Sequence, residues 1–240
     1  MQPSNITPIC IEYQQKIRDF FKWNVEDDEI VLKWLKGNIS KFNPMWNLNN
    51  REKYLNDLSS IIKSENNFVV IGANVTENEV LELSEDDALI VADGAIGSII
   101  KLNEKLIKNV ICLVSDGDGM PYISNKKIEN ITILLHAHGH AKKNLNHILD
   151  IWKDWEKPPR IIITHQTFNL TKECINFGGF SDGDRAVCML HAHGINKNQI
   201  SLKGFNIEKI GPWSGLTDEK GKKEKLKWMG KILGELGYDI

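Results

Sequence analysis

Cysteine is scarce in this chain, with four residues in 240, at positions 10, 112, 174 and 188. None forms a Cys-x-x-Cys pair, which excludes a cysteine zinc site and a disulfide framework and suits a reducing compartment. Cys112, inside an apolar run, reads as a small core residue. Net charge is equally slight: 30 basic against 32 acidic side chains leave −2, so no general polyanion-binding surface exists and nucleic acid is not an expected partner. No apolar run approaches the ~18 residues that a membrane span needs. The stretch from Met1 to Ile11 has neither a basic flank nor a continuous apolar core, so a signal peptide is not expected. A cytoplasmic protein without membrane contact is the expectation. There is no Gly-x-x-x-x-Gly-Lys-Ser/Thr, and Ile71-Gly72-Ala73-Asn74 carries one glycine where a Rossmann triplet needs three. What remains is an ordinary globular balance, 41% hydrophobic and 26% charged, long enough for one sizeable α/β domain or one with a smaller appendage.

Residues 1–64 contain no good strand. Ile9, Ile11, Tyr13, Ile17, Phe20, Phe21 and Trp23 follow a mainly helical spacing, and Val31, Leu32, Trp34 and Leu35 continue it after the acidic stretch Glu26 to Glu29. Asn38, Ser40, Asn43-Pro44 and Asn47 to Asn50 read as loop, and a helix is expected from Glu52 to Lys63. The expectation is a helical N-terminal subdomain, 1–64, followed by an α/β catalytic domain, 65–240. From Asn67 short buried-type runs recur: Phe68 to Ile71, Leu89 to Ala92, Val110 to Val114, Ile131 to Leu135, Ile161 to Ile163 and Ile200 to Leu202. Helix-like segments such as Ile99 to Ile107 and Leu145 to Trp155 alternate with them. β-Branched runs alternating with helices indicate βαβ units and a parallel sheet covered on both faces. Asn74, Asp93, Asp116, His136, His165 and Lys203 end those runs, so they collect at the carboxyl edge, where ligands bind. A last helix is expected from Asp218 to Leu236, apolar along Leu226, Met229 and Leu233. Its lysines form a solvated face or, for one or two of them, reach a phosphate.

Two Asp-Gly-Asp triplets stand where elements change. Asp116-Gly117-Asp118 ends the apolar run Val110 to Val114, and Gly117 and Gly119 let the backbone turn around a shared cation. The plain alternative is a solvated acidic turn. Asp182-Gly183-Asp184 opens a helix, where Ser181 and Asp184 fit a capping box. Gly178-Gly179 before it permits close backbone approach, and helix-start amides attract phosphate. His136, His138 and His140 alternate along an extended segment, a spacing compatible with a zinc hydrolase. The Asp-His pair of such hydrolases is replaced by Ala141-Lys142. His191-Ala192-His193-Gly194 repeats the motif at a helix end, where residues two apart diverge.

Taken in order, several pieces resemble the archaeal 6-hydroxymethyl-7,8-dihydropterin pyrophosphokinases, relatives of the thiamin pyrophosphokinases. They are Ala92-Asp93-Gly94-Ala95, Val114-Ser115-Asp116-Gly117-Asp118-Gly119, His136-Ala137-His138-Gly139, the block from Asn176 through Asp182 and Asp184 to Arg185, Ile210-Gly211-Pro212-Trp213-Ser214, and Lys225-Leu226. The resemblance runs from Val69 to Leu236 and implies a Rossmann-like, thiamin pyrophosphokinase-like catalytic domain. The implied activity is diphosphoryl transfer from ATP to a reduced pterin, with Mg²⁺ held by Asp116 and Asp118, and Asp93 as a further ligand or substrate contact. It implies catalytic roles for His138, Asp182, Asp184 and Arg185, and a phosphate contact for Lys225. It implies substrate contacts from Asn176, Gly178, Gly179, Gln166, His136 and Trp213; the oligomeric state, monomer or homodimer, stays open. Asn74, His140, His165 and Asn206 depart from the family pattern. Two other readings stay open: a zinc-dependent hydrolase using His136, His138 and His140, and a catalytically silent nucleotide- or pterin-binding protein.

Overall fold

The computed structural model describes residues 6–168, 173–215 and 219–240. Residues 1–5 and Asp218, expected to open the last helix, lie outside the described residues. Six strands form one wholly parallel sheet in the order β5-β4-β3-β2-β1-β6. They are β1 (Phe68–Ile71), β2 (Ala88–Ala92), β3 (Val110–Ser115), β4 (Thr132–Ala137), β5 (Arg160–His165) and β6 (Ile200–Lys203). Helices cover both faces, the α/β arrangement expected from the spaced β-branched runs.

Alternation along the strands explains the two layers. Val69, Ile71, Leu89, Val91, Leu113, Ile133, Leu135, Ile161 and Ile163 share a core with α2 (Val25–Phe42), α5 (Ile96–Leu102) and α6 (Lys142–Trp152). Phe68, Val70, Ile90, Cys112, Val114, Leu134 and Ile162 share the other with α3 (Leu48–Ser64), α7 (Asp182–Ala192) and α8 (Glu219–Glu235). A third cluster joins α1 (Pro8–Phe21) to α7 and α8 through Cys10, Ile17, Phe180, Cys188 and Ile232. The short α4 (Glu77–Leu81) follows β1 and is held by a Thr76–Glu79 capping box. Among the described residues no helix is long and apolar enough to cross a membrane.

The first 64 residues differ from expectation in detail. The helical pattern read through Trp23 is interrupted at residues 22–24, between α1 and α2, and the acidic stretch Glu26 to Glu29 lies in the first turns of α2, where negative charge meets the positive end of the helix dipole. Asn38 and Ser40 are helical rather than loop, because the apolar period Val31, Leu35, Ile39 runs on past them into the core. Asn38 donates to the Trp34 carbonyl at 2.8 Å. Asn47 caps α3 by accepting from Asn50 N, so Asn49 and Asn50 are helical too. Elsewhere α5 stops at Leu102 and a 3₁₀ turn, Glu104–Asn109, replaces the rest of the expected helix.

Between α2 and α3, Trp46 is fully buried and its indole Nε1 donates to Pro159 O at 2.8 Å. Helix α2 lies on one face of the sheet and α3 on the other, so Trp46 pins the crossing from face to face. Trp46→Ala is expected to cost about 3–5 kcal/mol, read as a lower urea midpoint at unchanged slope. A loss under about 1 kcal/mol would assign the crossing to other contacts.

Candidate active site

Parallel strands end on one edge, and here all six contribute to a single open cleft. The loop after β1 supplies Asn74, that after β2 Asp93, that after β3 Asp116 and Asp118. His138 follows β4, Gln166 follows β5, and Phe205 follows β6. The first turn of α7 adds Asp182 and Arg185, α8 adds Lys222 and Lys225, and Trp23 enters from the turn between α1 and α2. Trp213 closes the side next to β1, with its Nε1 donating to Val75 O at 3.1 Å.

At the centre lie carboxylates. One oxygen each of Asp93, Asp116 and Asp182 falls within 4.8 Å of the others, the one such acidic or histidine group among the described residues. Asp93 is held in place by unusual backbone: its φ is 45°, in the left-handed region. The Ser115 hydroxyl donates to its Oδ1, and Ser115 Oγ accepts from Gly117 N at 2.9 Å. A side chain at Gly119 would place its Cβ 2.4 Å from Asp93 Oδ2, so that glycine is a requirement of the packing.

Electrostatics set the four acids apart. Burial raises Asp93 well above the usual carboxylate range, and Asp118, Asp182 and Asp116 add to the shift. Asp182 and Asp118 are raised for the same reasons, burial first and the Asp116 charge next. Asp116 goes the other way. Burial pushes it up, but the His138 hydrogen bond, with the charges of Arg185 and Lys225, holds it below the usual range. His138 Nε2 lies 2.9 Å from Asp116 Oδ2, and its Nδ1 accepts from His140 N at 3.4 Å. That backbone donor assigns the proton to Nε2, so His138 donates to Asp116.

Facing the acids, burial and neighbouring Lys222 lower Lys225, whose Nζ sits 5.6 Å from the Trp23 ring centre. Asp182 Oδ1 is buried without a hydrogen-bond partner, and Arg185 Nη1 stops 3.7 Å short of it. An orphaned carboxylate oxygen within a cluster of hard oxygen donors fits a divalent cation such as Mg²⁺.

Other residues singled out from the sequence lie behind the cleft wall. Asp184 is fully buried, and its carboxylate accepts from Phe180 N at 2.6 Å, Ser181 N at 2.7 Å and the Ser181 hydroxyl. It caps α7 and turns no oxygen into the cleft. Asn176 accepts from Gly178 N at 2.9 Å and exchanges amide hydrogen bonds with Gln14. Gly178 and Gly179, at φ 87° and 79°, let the loop pass against Cys10 and Arg185, where a Cβ would come within 2.6 and 2.8 Å. His136 is buried beneath His138, with Nδ1 3.1 Å from the Thr164 hydroxyl and Nε2 unpartnered. Burial first, then nearby Arg185, hold it well below the ordinary imidazole range.

The three histidines do not converge. Ring centres of His136, His138 and His140 are 5.8 and 6.3 Å apart, and their nitrogens form no ligand group. In the repeat, His191 bonds Tyr238 while His193 bonds Ser59 and the Met189 carbonyl. The zinc reading therefore lacks its ligand set.

Trp23 and Asp28 escaped sequence reasoning. An aromatic residue directly after the left-handed cap at Lys22 was the one local sign of Trp23. Asp28 looked like any acid in a helical first turn.

No protein-family model matches the chain. Curated relatives do. A 6-hydroxymethyl-7,8-dihydropterin pyrophosphokinase of Pyrococcus furiosus is 30% identical over 74% of this chain and 74% of its own. A protein of that name from Methanothermobacter thermautotrophicus is 31% identical over 60% of this chain and 58% of its own. One from Methanocaldococcus jannaschii is 30% identical over 54% and 51%.

Proposed function

The chain belongs to the 6-hydroxymethyl-7,8-dihydropterin pyrophosphokinase family, and we propose that it carries out Mg²⁺-dependent transfer of the terminal diphosphoryl group of ATP to the hydroxymethyl oxygen of a reduced pterin. The observation that supports this most is the convergence of Asp93, Asp116 and Asp182 oxygens at the sheet edge, opposite Lys225 and Arg185.

The hydroxymethyl oxygen forms a bond to the β-phosphorus as the bridge to the α-phosphate breaks. The bonding pair leaves with AMP, and the hydroxyl proton passes to solvent. Little covalent work falls to the protein, so catalysis is positioning and charge neutralisation. Asp93, Asp116 and Asp182 would hold Mg²⁺, with Asp118 at the rim of the group. The chemistry such an ion would supply there is neutralisation of phosphate charge. His138, with both ring nitrogens engaged, keeps the Asp116 carboxylate in one orientation instead of meeting the attacking hydroxyl. Arg185, Lys222 and Lys225 offset the charge of the diphosphoryl group.

Two planar rings must flank the phosphates, and the cleft has aromatic walls on two sides. Trp23 and Phe180, 6.1 Å between ring centres, stand on one side, and Trp213 with Phe205 on the other. The four buried free cysteines accord with a cytoplasmic enzyme acting on two small molecules.

Incubation with ATP, Mg²⁺ and 6-hydroxymethyl-7,8-dihydropterin is expected to release AMP only when the pterin is present. Folded protein that forms no AMP would overturn the assignment of acceptor.

A further inference from the structure

Behind the cleft runs a chain of buried polar groups that the diphosphoryl-transfer reading does not itself require. Asp28 of α2, 5% exposed, accepts from Gly139 N through Oδ1 at 2.8 Å and from Gln166 Nε2 through Oδ2 at 2.9 Å. Gln166 Oε1 in turn accepts from Arg185 Nη2 at 2.8 Å. Arg18 of α1 closes the group, donating to the Gln166 carbonyl at 2.8 Å and lying 3.7 Å from Asp28 Oδ2.

An amide has one donor end and one acceptor end, so its orientation is decided by its neighbours. Asp28 has only oxygens and Arg185 only donors. Between them Gln166 has one satisfactory orientation, oxygen toward the arginine. Arg185 cannot meet Asp28 in its place, because it is engaged at the acceptor end of the amide, and Arg18, though paired with Asp28 Oδ2 at 3.7 Å, donates its hydrogen bond to the Gln166 carbonyl.

We propose that Gln166 is an amide relay through which Asp28, a positioning residue on the N-terminal helices, aims the Arg185 guanidinium into the cleft. The inference rests on the proposed role of Arg185 toward phosphate, and gives α1 and α2 a part in the reaction. Gln166 is then occupied on both ends, and its contribution to substrate is made through Arg185.

The relay has a signature that simple packing lacks. In Asp28→Asn, Gly139 N cannot turn away, so the new amide keeps its oxygen there and offers its nitrogen to Gln166. Gln166 must flip, and its nitrogen then faces Arg185, donor against donor. In Gln166→Glu, two carboxylates face each other across the Asp28 contact. In the double variant Asp28→Asn/Gln166→Glu, the carboxylate at 166 accepts from both Asn and Arg185, and the number of charges is restored.

The test is kcat and KM for AMP formation by the three variants of the full chain, below their unfolding temperatures, with urea unfolding run in parallel. Each single variant is expected to lose about ten- to a hundredfold in kcat, one buried hydrogen bond to a charged group. The double is expected to recover most of what either single variant loses, with KM for the pterin steady throughout. Single variants as active as the parent, or a double variant carrying the product of both losses, would overturn the relay. If the parent itself makes no AMP, the functional reading fails separately. The unfolding midpoints then decide: recovery in the double variant supports the relay, and additive losses refute it.

Discussion

Asp116→Asn is expected to lower kcat/KM for AMP formation by about a thousandfold. The expected size follows from the several kcal/mol that a bound metal contributes to charge stabilisation, at about 1.4 kcal/mol per tenfold. Asp184→Asn supplies the contrast. Its carboxylate accepts from two backbone amides and a hydroxyl of the α7 cap, and an amide there turns a donor toward a donor. About 1–3 kcal/mol of stability should go, with kcat/KM little changed below the midpoint. Paired kinetics and urea unfolding on both variants check this. Equal activity losses at the two positions would place the acid cluster in the fold and not in the chemistry.

The two acids sit two residues apart from a partner in near-identical triplets, and sequence alone does not separate them. What separates them is direction: the loop after β3 opens toward the cleft, whereas Asp184 lies one helical step inside α7 and turns back on its own cap. The strands were legible because parallel strands buried on both faces read as continuous apolar runs, and Phe68–Ile71 and Val110–Ser115 leave little ambiguity. The carboxyl-edge acids were legible for the same reason, since a residue that ends such a run has one place to go. Asp182 converging with Asp93 and Asp116 was not legible as a ligand group. It depends on how α7 crosses back over the sheet between β5 and β6, which is a tertiary fact.

The N-terminal helices were the least transparent part. Their site contributions act across long separations: Asp28 meets Gln166 138 positions away, and Arg18 reaches the same residue across 148. An acid in a first helical turn is favourable for local reasons, so its pattern carries no sign of a second duty. The misread loop at Asn38 and Ser40 has a related cause. Weak helix formers on the outer face are tolerated when Val31, Leu35 and Ile39 bury the inner one. The same packing of α1 and α2 against α8 and β4 brings Trp23 to the cleft and Asp28 behind its wall, so the segment that looks least like a catalytic domain shapes one wall of it.

Mg²⁺ is expected to stabilise the folded protein more strongly as pH rises. Asp93, Asp118 and Asp182 are raised by burial and by one another's charge, so the cation-free folded state holds protons that the unfolded chain has released. Groups of that kind contribute stability below the unfolded carboxylate pKa, about 4, and lose it as pH climbs through their raised values. Asp116, lowered, works in the opposite sense, but its contribution is lost only below the ordinary carboxylate range and is constant near neutrality. Histidine complicates the raw curve. His165, brought by burial to about 4, and the buried His136 favour folding as pH rises toward the ordinary imidazole value. Those contributions are common to both metal states and cancel in the difference between them. The difference isolates the cluster: a cation must displace the retained protons at low pH and finds bare carboxylates at high pH. With Mg²⁺ at about a hundred times its Kd the stabilisation is about 2.7 kcal/mol, or about 5–10 °C in Tm for a chain of this size. Thermal scans with Mg²⁺ and with EDTA between pH 6 and 8 should show that gap widening with pH in the parent and nearly absent in Asp182→Asn. A gap independent of pH, or one that survives the substitution, would mean that the ion acts away from these three acids.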